Sequence, residues 1–336
     1  MLAEITTDKF IERFADYDLI IDARSPSEYA HSHVKNAVNY FALNDEEHKE
    51  IGTIYKQISP FEARSKGAAY VCKNAISHIQ TLFATLSPSA KIAIYCAKGG
   101  MRSSSLSAIF SSIGYRVERV VGGYKSYRAH ILPCIESFEQ CNFITLMGHT
   151  GCGKSELLSS LENVIDLEGM AEHFGSVFGA VNGSQPSQKE FQNRLFHAFL
   201  EIDRQKPIFI EAESKKIGQV CMPPELHDRM IQGYRVEITA PLEQRVSRIR
   251  SMYQRIDEQF FMSCMDRITP YIAHNYKDAA IEDYNHDKLD DVAEILLVHY
   301  YDIVYKKNSK PDLVIHNDNI DKSLEILREL QNSQRF

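Results

Sequence analysis

The 336-residue chain has no Cys-x-x-Cys pair among its seven cysteines, Cys72, Cys96, Cys134, Cys141, Cys152, Cys221 and Cys264. An odd, scattered set suits neither a disulfide framework nor a zinc site, so a reducing compartment that keeps the thiols free is expected. No apolar run approaches the ~18 residues of a membrane span. The N-terminus lacks a basic stretch followed by an apolar one, so no secretory leader is expected. These absences predict a cytoplasmic protein with no membrane role. Internal repeats and low-complexity tracts are lacking too, although residues 282–291 (EDYNHDKLDD) form an acidic, solvated patch. So is an excess of basic charge: the net charge is −7, with 16 Lys+Arg against 15 Asp+Glu in residues 1–140 and 22 against 30 in the remainder. That balance speaks against indiscriminate nucleic-acid binding. An RNA substrate would need a local basic surface, because phosphate contacts supply most of the affinity.

What is present is a pattern that runs twice. Residues 18–23 (DLIIDA), 91–96 (KIAIYC) and 117–121 (VERVV) have strand character and alternate with helix-like stretches near 60–85 and 102–113. Residues 142–147 (NFITLM), 163–167, 207–211 (PIFIE) and 234–239 (YRVEIT) repeat the alternation. Short apolar β-branched runs separated by helices predict parallel sheets covered on both faces. The proline-bearing segment 124–141 lies between the two runs, and at this length two domains are the default. The expected division is residues 1–130, a linker over 131–141, and 142–336 with a helical C-terminal part.

In "IYCAKGGMRSS" (94–104) a strand ends in Cys96 and Arg102 follows six positions later. Backbone amides between them, those of Gly99 and Gly100 included, would curl around one anion, with Lys98 adding charge. The next helix points its N-terminus at the same place. Arg102 contributes a planar pair of donors, and the glycines allow backbone conformations other residues resist. Such surroundings favour the thiolate, which suits attack on sulfur, selenium or phosphorus, or carriage of a persulfide or perselenide. Cys-dependent phosphatases share the C-x5-R spacing, but Tyr95 precedes the cysteine where unrelated phosphatases usually have His. The upstream stretch "IDARSPSEYAHSHVKNAVN" (21–39), with Asp22, Arg24 and Glu28, and the downstream "VVGGYKSYR" (120–128) resemble the opening and close of a rhodanese domain.

"LMGHTGCGKSELL" (146–158) contains G-x4-G-K-S between a strand and a helical pattern, the context of a P-loop. Amides from Gly148 through Gly151 to Gly153 would cradle a diphosphate. Lys154 would reach the outer phosphate, and Ser155 is placed to ligate Mg²⁺. Cys152 reads as a small filler. Glu211, Glu213 and Asp166 are candidate acidic partners at strand ends. The basic stretch 241–257 puts Arg245, Arg248 and Arg255 within about a quarter of a helix circumference, as candidates for phosphate or RNA contact beside a plain solvated face. Lys215, Lys216, Lys189 and Arg194 are further candidates.

A thiolate loop joined to a P-loop domain resembles the tRNA 2-selenouridine synthase family. The resemblance includes 45–68 (DEEHKEIGTIYKQISPFEARSKGA), an insertion foreign to rhodaneses at large, and "DLEGMAEHFGSVFG" (166–179), "PSQKEF" (186–191) and "EAESKKIG" (211–218). It implies an α/β chain with an N-terminal rhodanese-like parallel-sheet domain followed by a P-loop NTPase-like domain. It further implies replacement of sulfur by selenium in the wobble 2-thiouridine of tRNA. Geranyl diphosphate would first alkylate the sulfur, and selenophosphate would then supply selenium, with a selenophosphate-supplying protein as a transient partner. The P-loop would hold the prenyl diphosphate, apolar residues of 174–181 its chain, and the Cys96 loop with Arg102 the selenium donor. An Arg/Lys surface would take the anticodon stem-loop, the wobble base stacked on an aromatic residue. Ala97, Lys98, Phe174 and Lys215 stand where the family pattern suggests Trp, Arg, Arg and Arg. A small-molecule kinase or nucleotidase with a degenerate rhodanese module, and a non-catalytic sulfur or selenium carrier, are the alternatives. Neither accounts for the insertion at 45–68 or for "PSQKEF".

Overall fold

The computed structural model describes residues 2–138, 141–181, 183–254, 256–305 and 310–333. They form two compact units, Met1–Cys134 with Gln192–Arg194, and Ile135–Phe191 with Leu195–Phe336.

The first unit is built on five parallel strands, β1 (Ala3–Ile5), β2 (Leu19–Asp22), β3 (Ala37–Asn39), β4 (Lys91–Tyr95) and β5 (Arg116–Val120), ordered β1-β5-β4-β2-β3. β4 lies at the centre, Ile94 opposite Ile21 on one side and Arg119 on the other. Its residues Ile92, Ala93, Ile94 and Tyr95 are all buried, as expected of a strand covered on both faces. One face packs against the helix Met101–Ile113 through Leu106 and Phe110, and against Val71, Ala75 and Leu82 of the helix Pro60–Thr85. The insertion at 45–68 supplies the helix Asp45–Gln57 and the first turns of Pro60–Thr85. Asn44 and Glu47 cap the first reciprocally, and Ser59 followed by Pro60 opens the second.

The second unit repeats the architecture: β6 (Phe143–Met147), β7 (Val164–Ile165), β8 (Ile208–Glu211), the antiparallel hairpin β9 (Lys216–Ile217) and β10 (Val220–Cys221), then β11 (Tyr234–Thr239) and β12 (Leu313–His316). The parallel order is β12-β11-β6-β8-β7, with the fully buried β6 in the middle. A separate helical core gathers Phe178, Ile249, Phe261, Met265, Leu296 and Tyr300. The strands expected from sequence are present with ends shifted by a residue or two. The segment 131–141 is not all loop: the helix Gly123–Ile135 runs into it and holds Pro133 in its last turn, close to where the helix ends. Among the described residues no helix is long and apolar enough to cross a membrane.

Candidate functional site

Each central strand delivers a loop to the carboxyl end of its sheet, where open α/β sheets place their ligands. In the first unit the chain leaves β4 at Cys96, which is only 3% exposed. The Gly100 N–H donates to its Sγ at 3.2 Å, and the Ser103 hydroxyl lies 3.2 Å from the same sulfur and 3.1 Å from the Gly100 carbonyl. The helix Met101–Ile113 begins directly after Gly100, so its unpaired N–H groups belong to the same loop. Two glycines are dictated by space. Gly99 has φ +65°, and a Cβ there would sit 2.8 Å from the Gly122 nitrogen. Gly123, at φ +59°, would put a Cβ 2.1 Å from the Cys96 carbonyl oxygen. The stretch "GGYK" is thus the brace of the loop: Tyr124 N–H donates to the Cys96 carbonyl at 2.8 Å and Lys125 N–H to that of Ala97 at 2.9 Å.

Arg102 is held by Glu28 at 2.5 and 3.4 Å. Burial works against the Glu28 carboxylate, yet the Arg102 hydrogen bond and charge, with the Ser25 N–H and His48, keep it below the ordinary carboxylate value. His48, from the insertion, approaches Glu28 at 3.8 Å. Beneath lies a buried network in which Arg24 pairs with Asp22 at 2.6 Å and stacks 3.9 Å over the Tyr124 ring, while Tyr95 OH donates to Asp22 at 2.8 Å. Asp22 and Arg24 therefore shape the loop from below. Lys98 is exposed at its rim.

In the second unit Gly148, Gly151 and Gly153 carry φ of +148°, +80° and +93°. A Cβ on Gly148 would lie 2.2 Å from the Ile238 carbonyl oxygen, and one on Gly153 2.6 Å from Asn317 Nδ2. Lys154 Nζ donates to the Gly148 carbonyl at 3.0 Å and so lies folded over the loop. Cys152 is buried in the core with Leu157 and Phe209, the filler role expected of it.

The acidic candidates divide. Asp166 caps the helix Leu167–Ala171 by accepting from Gly169 N–H at 2.8 Å. Glu211 is buried and accepts the Glu168 N–H at 2.7 Å; burial first, then Asp166 and Glu168, push it well above the usual carboxylate value. Glu213 does border the P-loop cleft, and beside it stands Glu168, to which sequence reasoning gave no role. Ser155 Oγ donates to Glu168 at 3.2 Å. Burial, reinforced by Glu213 and opposed by Lys154, raises Glu168 to about 7.

The arginines divide as well. Arg245, a candidate for tRNA, is 7% exposed: its Nε donates to the Thr150 carbonyl at 2.9 Å and its fork grips Asp302 at 2.9 and 2.6 Å. It braces the P-loop from beneath, because a buried guanidinium must spend its donors locally. Arg248 does face the cleft, reaching the Gly151 carbonyl at 3.3 Å and Glu156 at 3.2 Å. Arg255 lies outside the described residues. Lys215 and Lys216 are exposed at the start of the β9–β10 hairpin, apart from the cleft lining; Lys189 and Arg194 lie on the helix Gln188–Glu201.

A cleft of 840 Å³ opens from the P-loop. Its lining includes polar groups, among them Lys154, Ser155, Glu168, Glu213 and Arg248, and apolar side chains, Phe174, Met230, Ile231, Ile249, Val304 and Tyr305. Of the segment 174–181 expected to receive an apolar chain, Phe174 lines the cleft, whereas Phe178, Val177 and Val181 pack into the helical core. The remaining apolar wall comes from positions that carry no motif. Among the described residues no group of three or more His, Cys, Asp or Glu side chains is arranged to hold a metal ion. The hard oxygens beside the loop, Ser155 Oγ and the Glu168 carboxylate, are nonetheless of the type Mg²⁺ takes.

Fold and loops together define the class: a rhodanese-like domain carrying a cysteine loop, followed by a P-loop α/β domain. A family model described as "Rhodanese-like domain" matches residues 6–130, and one described as "tRNA 2-selenouridine synthase AAA domain" matches residues 141–277. A Hydrogenovibrio crunogenus protein named tRNA 2-selenouridine synthase is 33% identical over 328 residues, 87% of this chain and 91% of its own. A Pseudomonas syringae pv. syringae protein of that name is 35% identical over 240 residues, and one from Pseudomonas aeruginosa 35% over 256. Those matches span 70% and 74% of this chain, and 65% and 68% of the relatives. The chain belongs to the tRNA 2-selenouridine synthase family.

Proposed function

We propose that this protein replaces sulfur by selenium at the wobble 2-thiouridine of tRNA in two stages, each served by one loop. The observation that carries the reading is a cleft lined by P-loop residues and by several apolar side chains together, the two kinds of surface a prenyl diphosphate needs and a bare phosphate does not. In the first stage the thiouridine sulfur attacks C1 of geranyl diphosphate. The C–S bond forms, the C–O bond breaks, N3 gives up its proton and diphosphate leaves. The P-loop amides, Lys154 and Arg248 stabilise the charge that develops on that leaving group. Mg²⁺ held by Ser155 would supply further neutralisation there. In the second stage the selenium of selenophosphate attacks C2 and the C2–S bond breaks. Geranylthiolate leaves and is protonated, and water cleaves the Se–P bond to release phosphate. No electron acceptor or donor is consumed. The first stage serves the second, because an alkylated sulfur leaves as a thiolate whereas a thiocarbonyl sulfur does not.

The donor of the second stage is assigned to the Cys96 loop, whose position at a helix N-terminus, sulfur and nearby Arg102 suit a tetrahedral anion. Exposed lysines, Lys98, Lys215 and Lys216 among them, would supply phosphate contacts to the anticodon stem-loop.

The test is mass spectrometry of nucleosides after incubation with 2-thiouridine-containing tRNA, geranyl diphosphate and selenophosphate. Wild type is expected to yield selenouridine, Cys96→Ala to stop at geranylthiouridine, and Lys154→Ala to leave thiouridine unchanged. Unmodified thiouridine with the wild-type protein would overturn the reading. Turnover of ATP that ignores Cys96→Ala would bring the kinase alternative forward.

A further inference from the structure

One short segment both braces the P-loop and supplies apolar lining to the cleft. Residues Leu297–Tyr301 form a π-helix, which passes into the single turn Asp302–Val304. Asp302 receives both nitrogens of the Arg245 fork, at 2.9 and 2.6 Å, and lies 2.9 Å from Nδ1 of His149. Through Arg245 Nε it is tied to the Thr150 carbonyl, and His149 and Thr150 are themselves P-loop residues. Two and three positions later, Val304 and Tyr305 line the apolar wall of the cleft. Just upstream, the Tyr301 hydroxyl lies 3.3 Å from that of Ser176, another lining residue.

We propose that Asp302 is a positioning residue that couples the P-loop to the apolar lining of the cleft, so that binding of an anion at the first favours binding of an apolar chain at the second, and the reverse. The inference rests on the prenyl-donor reading above and deepens it. Its physical basis is shared ordering. Among the side chains that hold the P-loop, Arg245 grips the Thr150 carbonyl. That arginine is 7% exposed, and its charge is met by Asp302. An anion on the loop fixes His149 and Thr150, and through them Asp302. The turn that carries Asp302 also carries Val304 and Tyr305, so its ordering fixes the wall. A second ligand group entering an already ordered site loses less conformational freedom, which is positive coupling without a large change of shape. The π-turn is consistent with this role: such turns are uncommon inside helices and concentrate at functional sites.

The experiment compares the affinities of inorganic diphosphate and geranyl diphosphate for the full chain by calorimetry. Their ratio reports what the isoprenoid chain adds. Asp302→Asn is expected to weaken inorganic diphosphate about tenfold and to shrink the ratio by at least about threefold. Tyr305→Leu should shrink the ratio and leave inorganic diphosphate unchanged. The double variant should lose less than the product of the two single losses. Should Asp302→Asn lose its cooperative thermal transition, Arg245→Lys and His149→Ala are put through the same comparison with the same expectation. A merely structural brace would weaken both ligands by one factor. A wild-type ratio above one that these variants leave unchanged would therefore overturn the coupling alone. A wild-type ratio near one would remove the isoprenoid reading and the coupling with it.

Discussion

The two anion loops sit at equivalent places, each after the central strand of a parallel sheet and before a helix, yet they are held in different ways. The Cys96 loop is braced by the main chain of a nearby segment, through the amides of Tyr124 and Lys125 and the close approach of Gly122 and Gly123. The P-loop is braced by side chains from far along the sequence: Arg245 on Thr150, Arg248 on Gly151, and Asn317 Nδ2 on the Cys152 carbonyl at 2.9 Å. Backbone bracing is local and leaves its mark as a glycine motif. Side-chain bracing is distributed and leaves almost none. Charge follows the same contrast. The carboxylate beside the first loop, Glu28, is held low by Arg102, whereas Glu168 beside the second is pushed up by burial and Glu213.

The comparison breaks first at the glycines. Gly123→Ala and Gly148→Ala place a Cβ 2.1 and 2.2 Å from carbonyl oxygens at positive φ. Each is expected to cost about 2–5 kcal/mol in urea unfolding. Gly100→Ala meets nothing within 4 Å and should change stability by less than about 0.5 kcal/mol. Equal losses at Gly100 and Gly123 would show that the bracing described for the Cys96 loop is wrong.

The arginines sharpen the contrast next. Arg245→Lys removes a buried fork and should cost about 2–4 kcal/mol by the same measurement. Arg248→Lys, whose partner Glu156 is half exposed, should cost below about 1 kcal/mol. Similar values for the two would erase the distinction between brace and cleft residue.

The dependence on pH carries opposite signs at the two loops. Glu168 rises from 4.5 unfolded to about 7 folded. Its contribution is full below pH 4.5 and is lost as pH climbs through 7, a decline of up to roughly 3 kcal/mol. Glu168→Gln should flatten that decline. Glu28 is lowered on folding, so its contribution is present above pH 4.5 and lost as pH falls through its folded value; Glu28→Gln should flatten the acid limb only. Stability profiles of the two variants in metal-free buffer decide the point, and superimposable profiles would refute the charge contrast.

Much of this was legible in the sequence because it rests on spacing along one short stretch. Cys96 with Arg102, the glycines with Lys154 and Ser155, and the buried runs of β4 and β6 all announce themselves this way. Strands β1, β3 and β12 did not: they lie at sheet edges and are only partly buried, so they lack the continuous apolar run that marks a strand covered on both faces. Arg245 was misplaced because helical spacing says which residues share a face and not whether that face meets solvent or a loop. Glu168, lying inside a stretch already matched to the family, had its neighbours in view but not its partner Ser155.

By itself, the sequence determined two parallel α/β units, the two loops and the family, since each depends on local backbone chemistry or on ordered motifs. Tertiary structure alone decided the apolar wall of the cleft, where Met230, Ile249 and Tyr305 meet from three separate segments, and the carboxylate that holds the P-loop. The physical reason is that packing and charge pairing act between atoms close in space, whatever their separation along the chain, and Asp302 and Thr150 become linked only after the fold has brought Arg245 to both.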